Sequence, residues 1–139
     1  MKTIAIAGAT GAVGTQMLEC LKERHIQAHI KLLASARSKG KQIGDYTVEE
    51  LTKESFNGVD YVLGATENDI TKMWMPWAKE AGCIVVDNSS AFRLDKDVPL
   101  VIPEVNPEDI FKHHGLIANP NCATIIALVA LNALHKKYH

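Results

Sequence analysis

Hydrophobic and polar positions along this chain repeat with two different periods, and the period of each segment predicts its structure. Lys2 to Ala7 is a short apolar run suited to a strand buried on both faces, and it leads directly into Gly8-Ala9-Thr10-Gly11-Ala12-Val13-Gly14. Val13, Met17, Leu18 and Leu21 then recur at helical spacing. His29 to Ala34 predicts a second strand. Lys39 to Leu51 is polar and broken by Gly40 and Gly44, which predicts a loop or a short excursion. Val59 to Ala65 and Cys83 to Asp87 predict two more strands, with a helix between them from about Asp69 to Ala81. Gly115 to Ala118 predicts a fifth strand, and Cys122 to about Lys136 an apolar helix.

Strands that alternate with helices build βαβ units, so the expected fold is α/β: a doubly wound, mostly parallel sheet with helices on both faces. The whole span 1–139 reads as one domain, without repeats, low-complexity tracts or linkers, and Pro99 to His114 is its least regular part. Met73-Trp74-Met75-Pro76-Trp77 reads as a helix face packed on the sheet or on a subunit partner, with Pro76 kinking or restarting the helix.

Composition narrows the function classes. The chain is 47% hydrophobic and 22% charged with a formal net charge of -1, so neither nucleic acid nor an acidic membrane face is an expected partner. No apolar run approaches the roughly 18 residues of a membrane span. Met1 to Ala7 lacks the features of a signal peptide, which makes the cytoplasm the expected location. Reduced thiols are then the natural state of Cys20, Cys83 and Cys122. Cys20 in a helical pattern and Cys83 before a strand read as small buried hydrophobes.

Residues suited to chemistry concentrate at the carboxyl ends of the predicted strands. Gly8, Gly11 and Gly14 sit between a strand and a helix, the context in which such glycines bind a dinucleotide; the alternative is a turn that only connects the two. Gly8 and Gly11 would let the backbone turn and approach a pyrophosphate, and Gly14 would let helix and strand pack closely. N–H groups around Gly11, Ala12 and Val13 would face the phosphates. After the second strand comes Ala34-Ser35-Ala36-Arg37-Ser38-Lys39-Gly40-Lys41, with no acid to hold a ribose 2′-hydroxyl but two hydroxyls and three cations. That pattern suits a 2′-phosphate and hence NADP, with Arg37 the best single ligand because a guanidinium fork binds phosphate bidentately.

Asn119-Pro120-Asn121-Cys122-Ala123-Thr124 joins the fifth strand to the last helix. Helix-start N–H groups there favour a thiolate and can stabilise an oxyanion, although a buried inert cysteine fits the local sequence as well. Asp87-Asn88-Ser89-Ser90-Ala91-Phe92-Arg93 places polar groups and an arginine at the carboxyl end of another strand. Arg93 could hold a phosphate or carboxylate, or pair with a surface acid such as Asp95.

GATGAVG at Gly8–Gly14, DNSSAFR at Asp87–Arg93 and NPNCATI at Asn119–Ile125 together resemble the motif set of aspartate-semialdehyde dehydrogenases in order and spacing, over essentially the whole chain. The resemblance implies a Rossmann-like domain and NADP-dependent reductive dephosphorylation of L-aspartyl 4-phosphate to the semialdehyde, on the way to lysine, methionine and threonine. By that resemblance Cys122 is the nucleophile, Asn121 orients the acyl group and Arg93 binds the substrate phosphate. Asn88 would lie by the nicotinamide, Thr10 to Val13 on the pyrophosphate, and Ser35, Arg37 and Ser38 on the 2′-phosphate.

After the strand ending near Leu63 the family usually has a serine–alanine–glycine–glycine run lining the cofactor. Here Gly64-Ala65-Thr66-Glu67-Asn68-Asp69 stands in its place, leaving Ala65 and Thr66 as the lining positions beside a bulkier, negative Glu67. The sibling N-acetyl-γ-glutamyl-phosphate reductases are similar in fold and chemistry, but typically carry a glycine where this chain has Asn121. The family also has a second domain, with a histidine acid/base, a glutamine, substrate-binding charges and most of the interface of its homo-oligomers. This chain stops about where that domain would begin, so it is expected to bind NADPH but turn over negligibly alone. A non-catalytic NADP-binding module is the alternative. No metal is expected: His135 and His139 are four apart but lack a third ligand, and His113-His114 reads as a polar loop.

Overall fold

The structure, a computed structural model, describes residues 1–138. Seven strands form one sheet: β1 (Lys2–Ala7), β2 (Ala28–Ala34), β3 (Gln42–Ile43), β4 (Tyr46–Glu50), β5 (Tyr61–Gly64), β6 (Ile84–Asp87) and β7 (Leu116–Ala118). Three α-helices, α1 (Ala12–Glu23), α2 (Asn68–Glu80) and α3 (Cys122–Tyr138), join or follow them. The spatial order is β3-β4-β2-β1-β5-β6-β7, and every pairing is parallel except β3 with β4. The chain thus winds outward from β1 in one direction, returns to its other side at β5 and winds out again. The carboxyl ends of β1 and β5 flank the point of reversal, where open α/β sheets bind ligands.

Strand alternation distributes the core between the two faces. Ala5 and Ala7 join Leu33, Val62 and Val85 against Trp74, Met75 and Ala78 of α2. Ile6 and Leu32 face the other way, packing on Leu18 of α1 and on Val48. The Met73–Trp77 cluster is therefore largely packing, with Trp74 fully buried and stacked on Phe56 at 5.7 Å between centroids. α2 runs unbroken through Pro76, so the helix does not restart there.

Lys39 to Leu51 is not a loop. Gly44 adopts φ +59, the sign a glycine-first hairpin turn requires, and Gly44-Asp45 connects Ile43 to its antiparallel partner Tyr46. β4 then lies parallel to β2, with Val48 buried opposite Leu32. The glycines that look like breakers are the hairpin's punctuation. The irregular stretch 99–114 contains one 3₁₀ segment, Pro107–Lys112, and a bridge from Leu100 to Ala118 beside β7.

Cys83 is buried, its Sγ donating to the Val59 carbonyl at 3.2 Å, and burial pushes its thiol up from the ordinary value. Cys20 departs from expectation: it is exposed on α1, because the buried stripe of that helix runs through Gly14 and Leu18. α3 is apolar around its circumference yet none of its residues is buried; Ile126 is 75% exposed and Leu131 57%. Asn132 Nδ2, donating to the Glu104 carbonyl at 2.7 Å, ties α3 to the irregular stretch 99–114. A helix of that composition is built to be covered. No helix is long and apolar enough to cross a membrane among the described residues. His139, the second histidine of the His135 pair, lies outside them.

Candidate active site

The glycine turn divides its labour by position. Gly8 has φ +89, and a Cβ there would meet the Ala65 carbonyl oxygen at 2.6 Å, so the turn itself needs glycine. A Cβ on Gly14 would fall 2.3 Å from the Gly8 oxygen, which is why α1 can pack directly on β1. Gly11 differs from both. It is the N-cap of α1 in an ordinary extended conformation, and a Cβ there would meet only the Gly8 oxygen, at 3.4 Å. Nothing in the protein demands glycine at 11; an approaching ligand would.

Gly11 N–H already closes the turn onto the Gly8 carbonyl at 3.1 Å, so it is not one of the donors facing out. The first helical N–H groups, of Ala12, Val13 and Gly14, have no intrahelical acceptor and no capping side chain, and no acid sits in the first turn. Unpaired N–H groups and the helix dipole favour a negative charge there. Beside that helix start a groove of about 480 Å³ runs along the flank of α1 from Ala12 and Val13 past Met17 and Leu21 to Arg24, with Leu63 and Asn88 also lining it. Thr10 lies half-buried in the same turn.

Past β2, Ser35, Arg37 and Ser38 form a 3₁₀ turn held by Ser38 N–H to the Ser35 carbonyl at 2.8 Å, with Arg37 exposed and outside every ion pair among the described residues. Lys39 is committed to Glu50 at 3.3 Å. That acid was invisible from the β2 segment alone: Glu50 reaches the end of β2 from β4, where it pairs with Ala34.

Ala65 and Thr66 abut Gly8 from the end of β5. The Thr66 hydroxyl points inward, accepting from Trp74 Nε1 at 2.9 Å and sharing a 2.7 Å hydrogen bond with Thr71. Its methyl is the side-chain atom that faces Gly8. Asn68, unremarked in the sequence, ties the two loops together: Ser90 N–H donates to its Oδ1 at 3.0 Å and its Nδ2 donates to Ser90 Oγ at 2.9 Å.

The DNSSAFR segment is a folded device. Asp87 is fully buried and accepts from Ser89 N–H at 3.0 Å and Ser89 Oγ at 2.6 Å. Asn88 N–H donates to the Gly64 carbonyl at 3.0 Å, seating Asn88 at the β5–β6 junction beside the groove. Arg93 turns back toward the sheet instead of pairing with Asp95. Its Nε donates to the Asn119 carbonyl at 2.9 Å and its Nη2 to the Asn88 carbonyl at 3.0 Å. Those two bonds occupy one fork of the guanidinium and leave the charge without a carboxylate partner among the described ion pairs.

Cys122 is exposed, not buried, and is the first residue of α3, immediately beyond the carboxyl end of β7. Asn121 is its helix cap: Oδ1 accepts from Ala123 N–H at 3.0 Å and Thr124 N–H at 3.4 Å. Those two N–H groups are therefore not available to an oxyanion, contrary to expectation. The cap leaves Asn121 Nδ2 as the free end of its amide. The unpaired ends that Asn88, Asn121 and Arg93 leave on this edge are donors among the described residues: Asn88 Nδ2, Asn121 Nδ2 and the outer N–H groups of Arg93. No group of three His, Cys, Asp or Glu side chains suited to a metal ion occurs among the described residues.

Residues 3–113 match the family model described as semialdehyde dehydrogenase, NAD binding domain. An aspartate-semialdehyde dehydrogenase of Aquifex aeolicus is 49% identical over 142 residues, covering 96% of this chain and 42% of the relative. Among solved structures, aspartate semialdehyde dehydrogenase II of Vibrio cholerae, complexed with ASA, superposes with a TM-score of 0.91 at 43% identity, covering 98% of this chain and 47% of that one. The Candida albicans aspartate semialdehyde dehydrogenase with NADP gives 0.80 at 29% identity over 99% and 48%. The chain therefore spans less than half the length of each.

Proposed function

This chain belongs to the semialdehyde dehydrogenase family through its NAD-binding domain, and from that premise we propose that it is the cofactor-binding, cysteine-bearing part of an NADP-dependent aspartate-semialdehyde dehydrogenase. The observation that carries the reading is the convergence on one sheet edge of a bare helix N-terminus at Ala12–Gly14, a donor-only cluster at Asn88, Arg93 and Asn121, and exposed Cys122. The Aquifex and Vibrio relatives are named for this activity. The family-model match ends at residue 113, so the role of Cys122 rests on its motif and its place on the edge.

The residues fit the cofactor. Gly11 leaves room where a Cβ would stand, the first N–H groups of α1 take a pyrophosphate, and backbone at Ala65 and Thr66 lines the far wall. Ser35, Arg37 and Ser38 would hold the 2′-phosphate, in keeping with the NADP of the Candida albicans relative. In the reaction, Cys122 Sγ attacks the acyl-phosphate carbonyl, a carbon–sulfur bond replaces the carbon–oxygen bond to phosphate, and inorganic phosphate leaves toward the free N–H groups of Arg93. Asn121 Nδ2 would steady the carbonyl oxygen. A nicotinamide cofactor held there would supply the hydride for reducing the acyl group, and Cys122 would leave as the thiolate. The unpartnered apolar surface of α3 supports a reading in which further domain structure covers it in the whole enzyme.

NADPH should bind the 139-residue chain more tightly than NADH, and Arg37→Ala should erase the preference, roughly tenfold to a hundredfold for a charge-assisted phosphate contact. Equal affinity for the two cofactors in the unmodified chain would overturn the role of Arg37. Turnover by this chain alone should be negligible and should return when the residues that its relatives carry beyond this span are supplied. Robust phosphate-dependent oxidation of aspartate semialdehyde by the chain alone would overturn that division.

A further inference from the structure

Asn119 has no role assigned by the motif resemblance, yet three of its polar groups hold the edge together. Its N–H donates to the Asp87 carbonyl at 2.8 Å, its carbonyl accepts from Arg93 Nε at 2.9 Å, and its side-chain Nδ2 donates to Asn88 Oδ1. Arg93 Nη2 closes the ring on the Asn88 carbonyl at 3.0 Å. Asn88, Arg93 and Asn119 therefore form one hydrogen-bonded unit spanning the ends of β6 and β7.

A carboxamide presents a donor at one end and an acceptor at the other, and the partner of one end decides which of them faces out. We propose that Asn119 is a positioning residue that fixes the Asn88 side chain with its Nδ2 toward the cofactor cleft. The assignment rests on the proposed cofactor site. Without Asn119 Nδ2, Asn88 Oδ1 has no partner among the described residues and the amide rotates freely, so its donor is no longer held for a carbonyl or phosphate oxygen of the dinucleotide. The Asn119 side chain serves Asn88 alone. Its link to Arg93 is main-chain and survives any side-chain substitution. That separation distinguishes positioning from general support of the edge.

The test uses the 139-residue chain, NADPH titration and side-chain ¹⁵N resonances. Asn119→Ala should raise the dissociation constant for NADPH about fivefold, the worth of one hydrogen bond. It should shift the Asn88 side-chain amide resonances and leave the Arg93 Nε–H resonance in place. In an Asn88→Ala background it should have no further effect on NADPH binding. In the unmodified chain, NADPH should shift the Asn88 amide while the Asn119 amide stays protected from exchange, a measurement that needs no variant to fold. Undiminished NADPH affinity in Asn119→Ala, a displaced Arg93 resonance, an additive loss in the Asn88→Ala background, or an Asn88 amide indifferent to NADPH would each overturn the assignment. An unmodified chain that binds no dinucleotide would instead overturn the cofactor reading, which keeps the two failures distinct.

Discussion

Gly14→Ala and Gly11→Ala make the same chemical change three residues apart, and the structure predicts opposite consequences. At position 14 the new methyl would sit 2.3 Å from the Gly8 oxygen and 2.7 Å from Ala9 Cα, both backbone atoms that cannot swing aside. Restoring even 3.0 Å requires moving α1 off β1 by about 0.7 Å, through the packing of Leu18 against Ile6 and Leu32. Overpacking of this kind costs about 1–3 kcal/mol, and a backbone-on-backbone clash belongs at the upper end. Against a total stability of about 5–15 kcal/mol and a urea slope of about 1–3 kcal/mol per molar, the unfolding midpoint should fall by roughly 1–2 M. At position 11 the methyl meets one atom at 3.4 Å in a conformation alanine adopts, so the midpoint should move less, by the roughly 0.5–1 kcal/mol by which alanine is the poorer N-cap. NADPH affinity should nevertheless drop by at least about tenfold, because the methyl occupies the space above the α1 N–H groups where a pyrophosphate rests. Circular dichroism in urea and fluorescence titration of NADPH measure the two quantities separately. A Gly14→Ala midpoint within experimental error of the parent, or a Gly11→Ala variant that binds NADPH undiminished, would refute the division of roles between the glycines.

Alkylation near neutral pH, read by peptide mass spectrometry, should rank Cys122 above exposed Cys20 and leave Cys83 last, since burial raises the Cys83 thiol and shields it; Cys122 labelling no faster than Cys20 would count against an activated thiol. Trp74→Phe should cost about 1–3 kcal/mol in chemical denaturation through lost volume and a lost bond to Thr66, and a change under about 0.5 kcal/mol would contradict the packing described. At the opposite end of the sheet, the Lys2 ammonium at 2.6 Å and the Thr3 N–H at 2.8 Å hold the Asp60 carboxyl below its ordinary value. A lowered folded-state value stabilises above the unfolded value of about 4, and the benefit fades as pH falls through the folded one, so the stability gap between parent and Asp60→Asn should close on acidification below about pH 4. A gap that is constant with pH would show that the Lys2–Asp60 pair contributes nothing through ionisation.

The legible parts of this protein are those in which local pattern and final environment agree. β1, β2, β5, β6 and β7 are apolar runs because parallel strands are buried on both faces, and that demand shows in a few consecutive residues. The β3–β4 hairpin escaped because at this rim of the sheet only Val48 is fully buried, with Ile43 and Tyr46 partly so, and the rest of the segment is free to be polar. Cys20 was misplaced because helical spacing places a residue on a helix without saying which stripe is buried. Motif order and spacing were enough to single out Gly8–Gly14, Arg93, Asn121 and Cys122.

What those residues do with their hydrogen bonds was decided by tertiary structure. Nothing local says that Arg93 turns from Asp95 to two carbonyls, that Asn121 takes the N–H groups an oxyanion might have used, or that Asn119 clasps Asn88 across two strands. Sequence alone determined the alternation of strand and helix and the types of residue at the strand ends, because both follow from short-range periodicity and backbone geometry. Which donor meets which acceptor was set only when β6 and β7 came into register, since a hydrogen bond depends on distance and direction across segments remote in the chain.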